Sequence, residues 1–148
     1  MAPPWFTALA NPPFHLATIL LHWQLEHPQY AIESGGTAEY KGTTLSCVIT
    51  SLNAGIVQRA VTSQKWCFDP YTSLPVFVVH RDSDTRNPTK FTLVMIEFGD
   101  FRTKGGVLTP YRLDYSEEGV RVSTIVIEAL KFNVGISTSD FDPLGGGQ

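Results

Sequence analysis

The hydrophobic pattern is clearest over residues 91–132, where three β-rich runs are separated only by short turn signals. Residues 91–98 carry apolar side chains at odd and even positions alike, which predicts a strand covered on both faces in the middle of a sheet. In residues 107–115, Val107, Thr109, Tyr111, Leu113 and Tyr115 share one parity while Arg112 and Asp114 occupy the other. That is the period of a half-buried strand with one wet face. The third run begins with Val120, Val122, Thr124 and Val126 on the even face, after which Ile125, Ile127 and Ala129 enrich the odd face. A bulge or two-sided burial accounts for such a change. Residues 103–106 and 117–119 join the runs at hairpin length, with glycine available where a positive φ is needed. Connections this short exclude parallel crossovers, so the pattern predicts an antiparallel meander.

Upstream, Asn11 followed by Pro12 and Pro13 marks a helix start, with asparagine as the cap and proline in the first turn. A helix over about 13–26 follows. Its apolar residues Phe14, Leu16, Ala17, Ile19, Leu20, Leu21, Trp23 and Leu25 exceed one stripe, so it is expected to be buried on most sides or packed on another chain. Residues 30–33 read as a weak strand, and 44–52 as a better one with Leu45, Cys47 and Ile49 on one face. After a turn at Asn53, Ala54 and Gly55, residues 56–68 read as a less apolar strand near an edge. A tight connection over 69–73 leads into a strand at 74–79, and a polar loop spans 81–90. The sum is an α+β fold, mainly antiparallel β, with about seven strands and one N-terminal helix. It is expected to form one domain over 1–143, with the helix at about 13–26, the sheet at about 30–135, and a glycine-rich tail at 144–148. A helix of about fourteen residues spans roughly 21 Å, too little to cover a sheet face and protect both edges.

Composition narrows the function classes. The chain has 148 residues, 43% hydrophobic and 17% charged, with a net charge of −3. These values describe an ordinary globular protein and give no electrostatic reason to expect nucleic acid. The first ten residues lack a basic start and a long apolar core, so the chain as written shows no secretory signal and is expected in the cytoplasm if made in this form. His15, His22, Gln24 and Glu26 interrupt the most apolar helix, which argues for a soluble protein without a transmembrane segment. Cys47 and Cys67 fall on adjacent antiparallel strands with their midpoint near Val57, so they are able to face each other. In an oxidising compartment a bridge would add roughly 3 kcal/mol; otherwise they are two small core residues.

Candidate chemistry is sparse. His22 and Glu26 form an i, i+4 pair, with His15 on the same helix face, but the ligand count falls short of a metal site. Asp82, Asp84 and Asn87 form an oxygen-rich loop of the sort that can hold calcium, without the spacing of an EF-hand. His80, Asp82 and Asp84 are the candidate catalytic residues, although no nucleophile elbow, P-loop or dinucleotide fingerprint accompanies them. Trp23, Phe77, Phe91, Met95, Phe98, Tyr111, Leu113 and Ile127 are expected to line the space between helix and sheet, as plain core or as a ligand cavity.

Four motifs in order carry a resemblance. They are Trp66-x-Phe68-Asp69-Pro70-x-Thr72-x-Leu74-Pro75-Val76; Phe98-x-Asp100-Phe101-Arg102 leading to Gly106-Val107-Leu108-x-Pro110-Tyr111-Arg112; Ser123-Thr124-x-Val126-Ile127-Glu128-x-Leu130-x-Phe132-Asn133-Val134; and Phe141-Asp142-Pro143. Together they resemble the C-terminal half of the LolA/LolB-like outer-membrane lipoprotein carriers, over about 21–143, and most of all an uncharacterised branch common in soil bacteria. The resemblance implies a curved antiparallel half-barrel whose concave face holds helices and an apolar cavity for acyl chains, and a periplasmic location for a full-length form. The family's N-terminal helix and first strands have no counterpart before Met1, which would leave an exposed edge and favour a homodimer. The expected function is binding of a lipid or acyl chain without chemistry. The alternatives are a small hydrolase of an acyl ester or lactone, such as an acylated homoserine lactone, assisted by calcium, and a fragment with no activity of its own.

Overall fold

The computed structural model describes residues 17–83, 87, 89–132 and 135. Helix α1 (Ala17–Glu26) leads into strands β1 (Tyr30–Tyr40) and β2 (Thr43–Leu52), then the short helix α2 (Ile56–Thr62). Strands β3 (Gln64–Phe68), β4 (Pro75–Ser83), β5 (Phe91–Lys104), β6 (Val107–Glu117) and β7 (Val120–Val126) follow. The seven strands form one open antiparallel sheet in sequence order, with β1 and β7 at its edges. The expected mainly antiparallel fold of seven strands and an N-terminal helix is therefore present. The expected start of that helix, 13–16, lies outside the described residues, as does the tail.

Turn chemistry sets this order. The links at Lys41 and Gly42, Gly105 and Gly106, and Glu118 and Gly119 each have positive φ at both residues, the signature of the two-residue turn whose twist suits a hairpin. The connection after β3 is built on Asp69, whose Oδ1 accepts the N–H groups of Tyr71 and Thr72 at 2.8 and 2.9 Å. The first of the resembling motifs thus has a physical role, because an aspartate there closes an Asx-type turn.

Register divides the sheet into two faces. On one, the helix face, Trp66, Val78, Val94, Ile96, Phe98 and Leu113 pack with Leu21 of α1. On the other, Leu45, Cys47, Cys67 and Phe77 form a second cluster, against which Tyr40, Val79 and Met95 also pack. Cys47 and Cys67 are partners in the β2–β3 register and are joined by a disulfide. We call this the disulfide face.

Two sequence expectations need correction. Residues 56–68 do not form one strand. The first half is α2, and only Gln64–Phe68 is strand, lying inside the sheet between β2 and β4 rather than near an edge. The modest apolarity of that stretch belongs to the exposed helix, where Ile56 is 90% exposed, while Trp66 and Cys67 are fully buried. Second, Gly35 and Gly36 do not end β1. Ser34 pairs with Val48 and Gly36 with Cys47, so Gly35 is an extra residue, a bulge. A Cβ at Gly35 would come within 2.9 Å of the Cys47 backbone, so glycine is needed for that close approach. By contrast, a bulge, one of the two expected causes of the parity change in the last run, is present at Val122, since Tyr115 pairs with Ser123 and Ser116 with Arg121.

Candidate functional site

The site begins with the apolar surface under α1. Strands β3, β4, β5 and β6 place Trp66, Val78, Ile96 and Leu113 side by side because Trp66 pairs with Val78, Val78 with Ile96, and Phe98 with Leu113. Trp66 and Phe98 stack with ring centroids 5.7 Å apart and planes within 3°. Ile127 and Tyr115 pack against the margin of this cluster.

Over Leu21 to Glu26, helix α1 meets this surface with little apolar area. Of the side chains from Leu21 to Glu26, only Leu21 and Gln24 are buried; Trp23 and Leu25 are 44% and 57% exposed. Gln24 is held in a polar network. Its Nε2 donates to Gln64 Oε1 at 3.1 Å, and its Oε1 accepts from Thr50 Oγ1 at 3.1 Å. The Trp66 indole also donates to Gln64 Oε1, at 3.1 Å. Nearby, burial pushes the Tyr30 phenol above its ordinary value, partly offset by a hydrogen bond with Gln24. All four members of the network are essentially buried, so each bond forms where an unmet donor or acceptor would be costly.

The expected cavity residues do not form one lining. Phe98 and Leu113 are buried in the helix-face cluster, with Ile127 half-buried against it. Tyr111 is buried, with the Arg102 guanidinium 4.6 Å from its ring centroid. Trp23 stands on the outer side of α1 against the rings of His27 and Tyr30. Phe91 is exposed at the start of β5. Phe77 and Met95 belong to the opposite, disulfide face. Selecting residues by apolarity from strands covered on both sides mixes the faces, because neighbouring side chains point in opposite directions. Trp66, Val78, Val94 and Ile96 complete the helix-face surface, and the alternate spacing of Gln64, Trp66, Phe68 and of Val94, Ile96, Phe98 is the sequence signal for it.

Of the catalytic and calcium candidates, His80, Asp82 and Asn87 are among the described residues. His80 is buried on β4, where it pairs with Val94 and Gln64. Burial holds its imidazole below the ordinary value of 6.5, against smaller upward contributions from the Arg81 backbone and the Asp82 charge. Asp82 pairs in register with Thr92. Asp84 lies outside the described residues. Asn87 uses its Oδ1 to accept from the Thr89 N–H and hydroxyl, at 3.2 and 2.7 Å. Among the described residues no three His, Cys, Asp or Glu side chains converge. His22 and Glu26 make the expected i, i+4 contact at 3.3 Å, with both side chains exposed, and His15 lies outside the described residues.

The disulfide face carries charge and a pocket. Glu97 accepts from the Tyr40 hydroxyl and from Lys41 at 2.9 Å, tying the tip of the β1–β2 hairpin to β5. Asp114 pairs with Arg112 at 3.1 Å and Arg121 at 3.3 Å. Its carboxyl is held below the ordinary value by the Thr124 hydroxyl first and then by Arg112 and Arg121. Further along, α2 lies over the same face, with Arg59 paired to Glu33 and its Nε 3.4 Å from Ser51 Oγ. Between α2 and the sheet is a half-open pocket of about 290 Å³ lined by Ile49, Ala60, Ser63, Lys65, Val79, His80, Arg81 and Leu93.

No family model and no curated protein matches the sequence. Among solved structures, the fold is similar to a domain from Vibrio parahaemolyticus provisionally described as an outer membrane lipoprotein-sorting protein. The two share 12% identity at a TM-score of 0.53, over 77% of this chain and 46% of that one. The chain therefore spans less than half of that structure, and the likeness is one of fold. It agrees with the motif resemblance: this is a LolA-like antiparallel fold. Among the described residues no helix is long and apolar enough to cross a membrane, which leaves strand-built membrane structures unaddressed.

Proposed function

We propose that this chain binds a lipid or acyl chain against the apolar sheet face beneath α1. One observation carries the reading: over Leu21 to Glu26 the helix gives that face a single buried apolar side chain, Leu21, and is otherwise fastened there by the Gln24 network. Lifting the Leu21 to Glu26 part of the helix costs the burial of one leucine, about 1.5–3 kcal/mol, and two net hydrogen bonds of about 0.5–1.5 kcal/mol each. An acyl chain gains about 0.8 kcal/mol per buried CH₂, so eight methylenes, about 6 kcal/mol, match or exceed that cost. The LolA-like fold supports the same reading, since the similar structure is described as a lipoprotein-sorting domain.

Two further features belong to this proposal. The Cys47–Cys67 disulfide supports folding in an oxidising compartment outside the cytoplasm. Strand β7 is an edge with all seven residues exposed, including Val120, Val122, Ile125 and Val126, and supports edge pairing in a homodimer. Native mass spectrometry of protein purified from a lipid-containing host tests the binding. Acyl lipid retained at one per binding face, and reduced in a Phe98→Ala variant that keeps its circular dichroism, is expected. Folded protein that neither retains nor takes up added palmitate would overturn the proposal.

A further inference from the structure

The pocket between α2 and the disulfide face lies on the opposite side of the sheet from the proposed acyl surface, and its chemistry differs. Ile49, Val79 and Leu93, from β2, β4 and β5, give it an apolar floor, and Ala60 of α2 forms one wall. At its margin stand two cations, Lys65 and Arg81. Lys65 pairs in register with Val79, and Arg81 lies two residues along the same strand from Val79. Both side chains therefore emerge on one face as diagonal neighbours, about 7–8 Å apart at their origins, close enough to reach a common anion.

Arg81 is set apart by what it lacks. Of the five arginines among the described residues, Arg59, Arg102, Arg112 and Arg121 each pair with a carboxylate, and Arg81 does not. Lys65 likewise has no ion pair among the described residues, a property it shares with Lys90, Lys104 and Lys131, but of these only Lys65 lines the pocket. Two carboxylates bound to residues around the pocket are already engaged: Glu118 accepts the N–H of Leu93 at 2.7 Å, and Glu33, the register partner of Ile49, pairs with Arg59. In a chain with a net charge of −3, two adjacent unpaired cations beside an apolar hollow are a local exception. The C-terminal end of α2 faces this region, so the attraction for an anion comes from the side chains and not from a helix dipole.

We propose that this pocket binds a small amphipathic anion, a phosphate or carboxylate group held by Lys65 and Arg81 with a short apolar part on Ile49, Val79 and Leu93. The pocket volume, about 290 Å³, is at the lower end of small-molecule sites, roughly 300–1,000 Å³. It suits a head group with a few carbons and excludes a long acyl chain. The same chemistry is offered by a free organic phosphate and by the head group of an anionic lipid. The site does not depend on the acyl-binding reading, because it uses none of the residues under α1.

The test is an NMR titration of the oxidised full chain with inorganic phosphate, hexyl phosphate, and vesicles of phosphatidylcholine with and without phosphatidylglycerol. Saturable shifts at Val79 and Leu93 are expected, with hexyl phosphate binding more tightly than inorganic phosphate. Lys65→Gln and Arg81→Gln should each weaken binding about tenfold, as loss of one charge-assisted hydrogen bond does. The control Lys104→Gln, an exposed lysine at the end of β5, should leave it unchanged. Both test positions lie at the pocket margin, and an unaltered amide spectrum confirms that each variant folds. Binding of soluble hexyl phosphate identifies a free metabolite as the source. Binding confined to phosphatidylglycerol vesicles, with the same dependence on Lys65 and Arg81, identifies a lipid head group. No saturable binding to any of the three, or binding that survives in the Lys65→Gln/Arg81→Gln double variant, would overturn the proposal.

Discussion

Replacing Gln64 with leucine removes the acceptor that holds α1 to the sheet. Gln64 Oε1 receives both the Gln24 amide and the Trp66 indole, each at 3.1 Å, and the donors are buried. In Gln64→Leu one amide hydrogen of Gln24 is left without its acceptor, at about 1–3 kcal/mol, and the indole bond, worth about 0.5–1.5 kcal/mol net, is lost as well. The added apolar contact of leucine returns about 1 kcal/mol. The net expectation is a loss of about 2 kcal/mol, or a fall of about 4–8 °C in Tm for a chain of this size. Urea denaturation followed by tryptophan fluorescence measures it directly, and hydrogen exchange should show the α1 amides losing protection first. Gln24→Leu removes the orphaned group, so Gln24→Leu/Gln64→Leu should be less destabilised than the sum of the single variants by about 1 kcal/mol. If Gln64→Leu unfolds at the same urea concentration as the parent, with α1 equally protected, the network is not what fastens the helix.

Other consequences follow from the same geometry. Cys47→Ala/Cys67→Ala opens a loop with a sequence separation of 20 and should cost about 3 kcal/mol, read as a lower urea midpoint; an unchanged midpoint would show that the bridge contributes nothing. His80 has a folded-state pKa below the 6.5 of an exposed imidazole, so below about pH 6.5 the unfolded chain takes up a proton that the folded chain does not. Stability should therefore be full above that pH and fall as pH drops towards the depressed value. An NMR titration in which the His80 ring protonates above 6.5 would contradict this. If β7 edges pair, sedimentation should show a dimer that Val122→Lys and Ile125→Lys convert to monomer, and a monomeric parent chain would refute the pairing.

The sheet was legible because its turns are written in the sequence. Gly105 and Gly106 supply two positive φ angles that few other residues adopt without strain, and that fixes an antiparallel hairpin between β5 and β6. The Cys47–Cys67 pairing was open to the sequence as one of two readings, since equal distances from a reversal bring two residues opposite each other. That reversal is a helix rather than a tight turn, and this was not legible. Ile56, Val57, Val61 and Thr62 are β-branched and suggest a strand. Yet Ile56 and Val57 point into solvent, and Thr62 instead bonds the Gln58 carbonyl at 2.7 Å and accepts the Leu52 N–H at 3.0 Å, tying α2 to β2. Tertiary contacts through one hydroxyl and through Arg59 and Glu33 outweighed local propensity.

The ligand surface was half legible for a related reason. Phe98, Leu113 and Ile127, all among the expected lining, do meet in the helix-face cluster. Phe77 and Met95 lie on the other face, and because β4 and β5 carry apolar side chains on both sides, apolarity without parity does not separate them. The Gln24 network had no sequence signal beyond a glutamine interrupting an apolar helix, which reads as an exposed position. Its partners Gln64 and Thr50 lie 40 and 26 residues away, and only the folded register brings them together.

The central claim, that an acyl chain lies on the helix face, is tested most directly by methyl NMR during a palmitate titration. Saturable shifts should appear at Val78, Val94, Ile96 and Leu113, while Leu45 and Val76, on the disulfide face and outside its pocket, stay unmoved. Shifts confined to the disulfide face, or no saturable shift at either face, would contradict it.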